Sequence, residues 1–272
     1  MVQGQELEGQ AREEAGEAWG LAPEGTVYVL PAAQKYRIKP EHPVLRSSAL
    51  NATGIWSENR KVDALEDELL ANHKRYLERK ALYSSLGYDV DKERAFILEK
   101  AQPLYGDILE AGTGKGHFAL ELAKAGYSFT TFDISETEQA FAKLNLRYFG
   151  LENQVDFRIE NGESLSFKDK SYDVIFSVNT LHHLTNPCKV IDEFLRVLSF
   201  KGKFVLSDFT REGLVLMDKI HASEGNKHEV GKTTLADVER YLTGKGFRIT
   251  KANSKFQEVL ITYRPCLPAG RN

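Results

Sequence analysis

An α/β fold built on a largely parallel sheet is what this sequence predicts, and three observations carry the prediction. From Tyr105 onward, short apolar runs alternate with amphipathic runs of helical length. The first apolar run ends in a turn with glycines at 112, 114 and 116, and the second ends on an acid, Asp133. Such alternation puts crossover helices on both faces of a sheet. Strands are expected at 106–111, 128–133, 155–160, 172–178, 202–208, 247–252 and 257–264, with helices at about 115–126, 136–149, 187–199 and 233–245.

Composition narrows the class. The chain has 272 residues, 42% of them hydrophobic, enough for one sizeable core with an appendage. A formal charge of −3 gives no basic footprint for nucleic acid. Two cysteines, Cys188 and Cys266, suffice for neither a metal cluster nor a disulfide framework, which favours a reducing compartment. No apolar run reaches the roughly 20 residues of a membrane span, and no basic segment followed by an apolar one opens the chain. The expectation is a cytoplasmic globular protein without a membrane span; a homodimer is left open.

Residues 1–25 carry six glutamates against Arg12 and read as an acidic flexible tail. Thr26–Leu30 reads as a short strand, and the basic stretch 35–46, broken by Pro40 and Pro43, as an extended arm. Apolar positions at Val62, Leu65, Leu69, Tyr76 and Tyr83 predict a helix, and a second is expected over 91–101 with Asp91 as its cap. Tyr76 and Tyr83, seven residues apart, share a face of the first helix and are candidates for contacts that cover a pocket.

The glycine turn lies in Asp107-Ile-Leu-Glu-Ala-Gly-Thr-Gly-Lys-Gly-His-Phe118. Glycines permit positive φ and let backbone approach a ligand. The helix that follows aims its unpaired amides into the same crevice, a seat for carboxylate or phosphate. The dinucleotide fingerprint G-x-G-x-x-G requires glycine at 117, where His117 stands, so a nicotinamide enzyme is disfavoured. Asp133, seventeen residues past Gly116, can accept from both hydroxyls of a ribose, while Ser135 is better placed to cap the next helix.

The pattern acid-x-G-x-G-x-G from Glu110 to Gly116 resembles motif I of the class I S-adenosylmethionine (AdoMet) dependent methyltransferases. Asn161-Gly162-Glu163-Ser164-Leu165-Ser166-Phe167 resembles that family's adenine-binding segment, with Asn161 where Asp is usual. Ser171-Tyr-Asp-Val-Ile-Phe-Ser-Val-Asn-Thr-Leu-His-His-Leu184 resembles the fourth-strand signature of its ubiquinone/menaquinone-type members, which act on small molecules. The resemblance implies a Rossmann-like seven-stranded sheet of order 3-2-1-4-5-7-6, with the last strand antiparallel.

It further implies that Glu110, Ala111, Gly112, Thr113, Gly114 and Gly116 surround the methionine end of AdoMet. Asp133 and Ile134 would meet the ribose and adenine, Asn161, Gly162 and Glu163 the adenine, and Val178 and Asn179 the transfer point. The product would be S-adenosylhomocysteine. His183 is the implied catalytic residue, with His182 structural, and no metal is expected. Residues 209–232 are read as a loop over the acceptor, with Arg211, His221, Glu224, His228 and Glu229 as its polar groups. The organisation expected is a tail at 1–25, an appendage at 26–60, a helical lid region at 61–104, an AdoMet-binding methyltransferase domain at 105–266 and a tail at 267–272. A catalytically silent AdoMet-binding partner protein is the alternative.

Overall fold

The computed structural model describes residues 55–225 and 231–264. The strand expected at Thr26–Leu30, the basic arm and the chain ends lie outside those residues. Two helices come first, α1 (Ile55–Ser85) and α2 (Val90–Lys100). The alternating part follows as β1 (Ile108–Ala111), α3 (His117–Lys124), β2 (Phe129–Asp133), α4 (Glu136–Tyr148), β3 (Val155–Ile159), β4 (Tyr172–Val178), α5 (Pro187–Val197), β5 (Leu198–Phe209), α6 (Arg211–Ser223), α7 (Leu235–Gly244), β6 (Arg248–Asn253) and β7 (Gln257–Tyr263). The sheet order is β3-β2-β1-β4-β5-β7-β6, with β7 antiparallel to both neighbours. This is the predicted topology.

Local chemistry explains most boundaries. All four residues of β1 are buried, as suits a central strand covered on both faces. Ser135 caps α4 by accepting from the Glu138 amide at 3.2 Å, and Thr234 and Asp237 form a reciprocal capping box on α7. Pro187 opens α5, where its missing N–H costs nothing. Three expectations need correction. The cap of α2 is Asp89, which accepts from the Lys92 amide at 3.1 Å, and not Asp91. Helix α1 begins at Ile55, inside the stretch assigned to the appendage. Residues 211–223 are the helix α6 and not a loop, capped by Thr210 and closed inward by Leu216, Met217 and Ile220.

Two apolar layers sandwich the sheet. One joins Leu109, Ile175, Phe204 and Leu260 to Ile191 and Phe194 of α5 and Leu242 of α7. The other joins Ile108, Val174, Phe176 and Val205 to Ile97 of α2, Leu120 of α3 and Leu146 of α4. Side chains alternate along a strand, so Glu110 shares the face of Ile108 and turns toward α2 and α3. That parity decides what surrounds the acid.

The turn after β1 is tightly fitted. A Cβ on Gly112, where φ is +83°, would stand 2.1 Å from Thr180 Cγ2, and one on Gly116, at φ +80°, 2.8 Å from Ala142 Cβ. Gly112→Ala is expected to destabilise the fold by about 2–4 kcal/mol, the sum of left-handed strain and overpacking. Thr180→Ser in the same chain removes the clashing methyl and should restore part of the loss. Denaturant unfolding of the single and double variants checks this; equal stabilities would contradict it.

Candidate active site

The carboxyl ends of β1, β2 and β4 open into a cavity of about 480 Å³, a size typical of small-molecule sites. It lies at the switch point of the sheet, where β1 has β2 on one side and β4 on the other. Of the residues singled out by sequence, Glu110, Gly112, Thr113, Gly114, Asp133, Val178, Asn179 and His183 line it. Ala111 and Gly116 stand behind the turn, both buried. Ile134 is 72% exposed beside Asp133. The Asn161–Glu163 turn follows β3, whose Ile159 pairs with Asp133, so it flanks Ile134 outside the cavity wall.

Asp133 has one oxygen on the Gly114 amide at 2.7 Å and the other on the Ser135 amide at 2.9 Å. A carboxylate offers about four acceptor sites, so it retains capacity for a ligand. Gly112 and Thr113 amides donate to Phe132 O at 2.8 and 3.0 Å, and Gly116 donates to Thr113 O at 2.9 Å. The turn's amides are thus largely spent within the protein. The start of α3 faces Glu110, whose charge the Ala119 amide favours. Gly114 differs from its neighbours: a Cβ there would meet no protein atom within 4 Å and would project into open space.

Glu110 accepts from Thr131 Oγ1 at 2.6 Å, and Thr131 in turn bonds Thr113 Oγ1 at 2.7 Å. Burial, helped by nearby Asp133, pushes its carboxyl up to about 8 against the Thr131 bond and the Arg94 charge. Raised above an unfolded value of 4.5, this group contributes its full stability at low pH and loses it as pH rises through about 8. Glu110→Gln should match the parent's Tm near pH 4 and exceed it by several degrees near pH 8.5. Calorimetry of ligand-free protein reads this; equal Tm at both pH values would contradict it. His117 also lines the cavity, and burial beside Arg94 and Arg79 holds it down at about 3, so it stays neutral.

Arg94 carries no signal that sequence reasoning could read. It is 9% exposed on α2 and lines the cavity, and Tyr88 Oη accepts from it at 3.3 Å. Its Nε has no hydrogen-bond partner. A buried cation among neutral partners is costly unless an anion arrives. The side-chain oxygen of Asn161 accepts from the Glu163 amide at 2.9 Å within its own turn. Glu163 meanwhile accepts from Asn186 at 2.9 Å and Lys189 at 3.3 Å, tying the turn to the start of α5.

The other half of the cavity is apolar, walled by Tyr83, Tyr88, Val90, Phe209 and Met217, with His182, His183 and His221 as polar groups. Tyr83 is in this wall as expected; Tyr76 is not, and stacks instead on His117 at 5.5 Å. Of the two histidines at the turn after β4, His183 is exposed and His182 is buried. His182 Nδ1 is 2.6 Å from Asp208 Oδ1, and its backbone amide donates to Asp208 Oδ2 at 3.1 Å. Val178 pairs with Ser207 across β4 and β5, which carries both residues to the same sheet edge. His228 and Glu229 lie outside the described residues.

Residues 109–206 match the family model described as a methyltransferase domain. The chain carries a class I S-adenosylmethionine-dependent methyltransferase domain. It is 31% identical over 134 residues to 27-O-demethylrifamycin SV methyltransferase of Amycolatopsis mediterranei, covering 48% of each chain. It is 32% identical over 104 residues to a ubiquinone/menaquinone biosynthesis C-methyltransferase of Zymomonas mobilis, covering 38% of this chain and 43% of that one. The chain thus spans about half the length of the curated relatives it matches. The crystal structure of a SAM-dependent methyltransferase from Aquifex aeolicus shares the fold, with a TM-score of 0.50 at 20% identity over 62% of this chain and 88% of that one. Among the described residues, no helix of the methyltransferase domain is long and apolar enough to cross a membrane, and no group of three metal ligands occurs.

Proposed function

We propose that the protein transfers a methyl group from AdoMet to a small-molecule acceptor. The observation that carries this reading is one cavity with two unlike ends. At one end stand a strand-terminal carboxylate, a glycine turn open at Gly114 and a buried guanidinium; the other is an aromatic chamber with imidazoles. The residues present fit the cofactor. Asp133 would accept from the ribose hydroxyls, Ile134 and the turn Asn161-Gly162-Glu163 would flank the adenine, and Arg94 would meet the amino-acid carboxylate. Glu110 would face the ammonium, Val178 and Asn179 would stand at the transfer point, and Gly112, Thr113 and Gly114 would carry the backbone between.

When bound, AdoMet supplies a methyl already activated by positive sulfur. The chain's residues then have to orient the acceptor in line and exclude water. Tyr83, Tyr88, Phe209 and Met217 do the second. For an acceptor that arrives with its proton, His182 is the base, its ring held through Nδ1 by Asp208, which fixes the tautomer. This assigns to His182 the role first expected of His183, which we place at the rim.

Calorimetric titration with S-adenosylhomocysteine and separately with NAD tests the reading. Binding of the first, in the micromolar range or tighter, with no heat from the second is expected; the reverse would contradict it.

A further inference from the structure

Four polar side chains from separate parts of the fold close a ring between the two halves of the cavity. Arg94 Nη1 of α2 donates to Tyr88 Oη at 3.3 Å, and Gln257 Nε2 of β7 donates to the same oxygen at 3.1 Å. Asn179, its amide set so that oxygen meets donors and nitrogen meets acceptors, accepts from Arg94 Nη2 at 2.8 Å and donates to Gln257 Oε1 at 2.8 Å. Ser207 Oγ of β5 steadies Gln257 by donating to Oε1 at 2.9 Å. Tyr88 is 1% exposed and Gln257 0%. Asn179 holds φ at +55°, a strained value for a residue with a side chain.

Apolar side chains of equal volume would serve stability as well as such a network does. What the ring supplies is direction. Tyr88 and Asn179 clamp the Nη atoms of the long, flexible Arg94 side chain from two sides, with Gln257 holding both clamps.

We infer that Tyr88 and Gln257 are positioning residues that aim the Arg94 guanidinium at the carboxylate of the amino-acid end of the sulfonium nucleoside. The inference rests on the function proposed above. Gln257 is on the last strand, far in sequence from the glycine turn, and does not itself line the cavity. Its effect on the ligand passes through Arg94 and Asn179.

The test uses two ligands that differ only at that end. S-adenosylhomocysteine carries the carboxylate and ammonium; 5′-deoxy-5′-methylthioadenosine keeps adenine, ribose and sulfur and lacks both. Each is titrated calorimetrically into the full chain and its Tyr88→Phe, Gln257→Leu and Gln257→Glu variants. Tyr88→Phe keeps the ring that packs on Phe256, so the fold is retained even if Gln257→Leu proves unstable. All three variants should weaken S-adenosylhomocysteine roughly tenfold, as for loss of a hydrogen bond to a charged group, and leave methylthioadenosine within about twofold. Gln257→Glu should weaken it at least as much as Gln257→Leu, because an internal carboxylate competes for the guanidinium. Parallel loss of both ligands, or no loss of either, overturns the inference and leaves the proposed function standing. A parent protein that binds neither ligand overturns both.

Discussion

Asp133→Ala is expected to lower the affinity for S-adenosylhomocysteine by about 100-fold or more. Two charge-assisted hydrogen bonds to the ribose contribute at least about 1.5 kcal/mol each, and 1.4 kcal/mol is a factor of ten. The carboxylate also holds the Gly114 amide at 2.7 Å, so its removal loosens the glycine turn as well. Asp133→Asn separates the two effects. Its side-chain oxygen can still accept from Gly114, while its charge and half of its acceptor capacity are gone. An intermediate loss is expected, about tenfold. Because this residue acts on the nucleoside, methylthioadenosine should weaken in step with S-adenosylhomocysteine, unlike the pattern expected at Tyr88 and Gln257. Unchanged affinity in Asp133→Ala would remove the ribose assignment.

His182→Gln should cost about 10²- to 10⁴-fold in transfer rate to acceptors that must lose a proton, the usual contribution of a positioned base. It should leave the affinity for S-adenosylhomocysteine unchanged. Radiolabelled AdoMet with a panel of hydroxylated and aminated small molecules reads both arms. Asp208→Asn should lower kcat less, since it leaves the imidazole in place and frees the tautomer to change. His183→Gln should have the smaller effect of the two histidine changes. Full activity of His182→Gln, or a larger loss at His183, would reverse the assignment.

The sheet and the glycine turn with its strand-terminal acid were legible because their signals are local. Three glycines within five residues, a strand-terminal acid and a capping serine each act through their own backbone. The rest of the cavity is assembled from distant elements, and there the sequence was silent or pointed elsewhere. Arg94 lies on a helix read for its apolar stripe, and a binary pattern treats a charged residue as outward facing. Its burial follows from partners at 88, 179 and 257 that no spacing rule joins. Helix α6 was read as a loop although Thr210 ahead of Leu216, Met217 and Ile220 carried a helical signal. The choice between His182 and His183 turns on the register of β4 against β5. Once those strands are neighbours, Asp208 at the end of one faces the turn that follows the other.

Asn161 is placed in the chain where adenine contact is expected, and its side-chain oxygen, which accepts from the Glu163 amide, keeps a second acceptor site.

A crystal structure of the protein with S-adenosylhomocysteine tests the central claim most directly. The account predicts both ribose hydroxyls on Asp133, the carboxylate on Arg94 and the sulfur between Asn179 and the aromatic chamber. A nucleoside lodged outside the crevice, or one whose ribose is turned from Asp133, would contradict it.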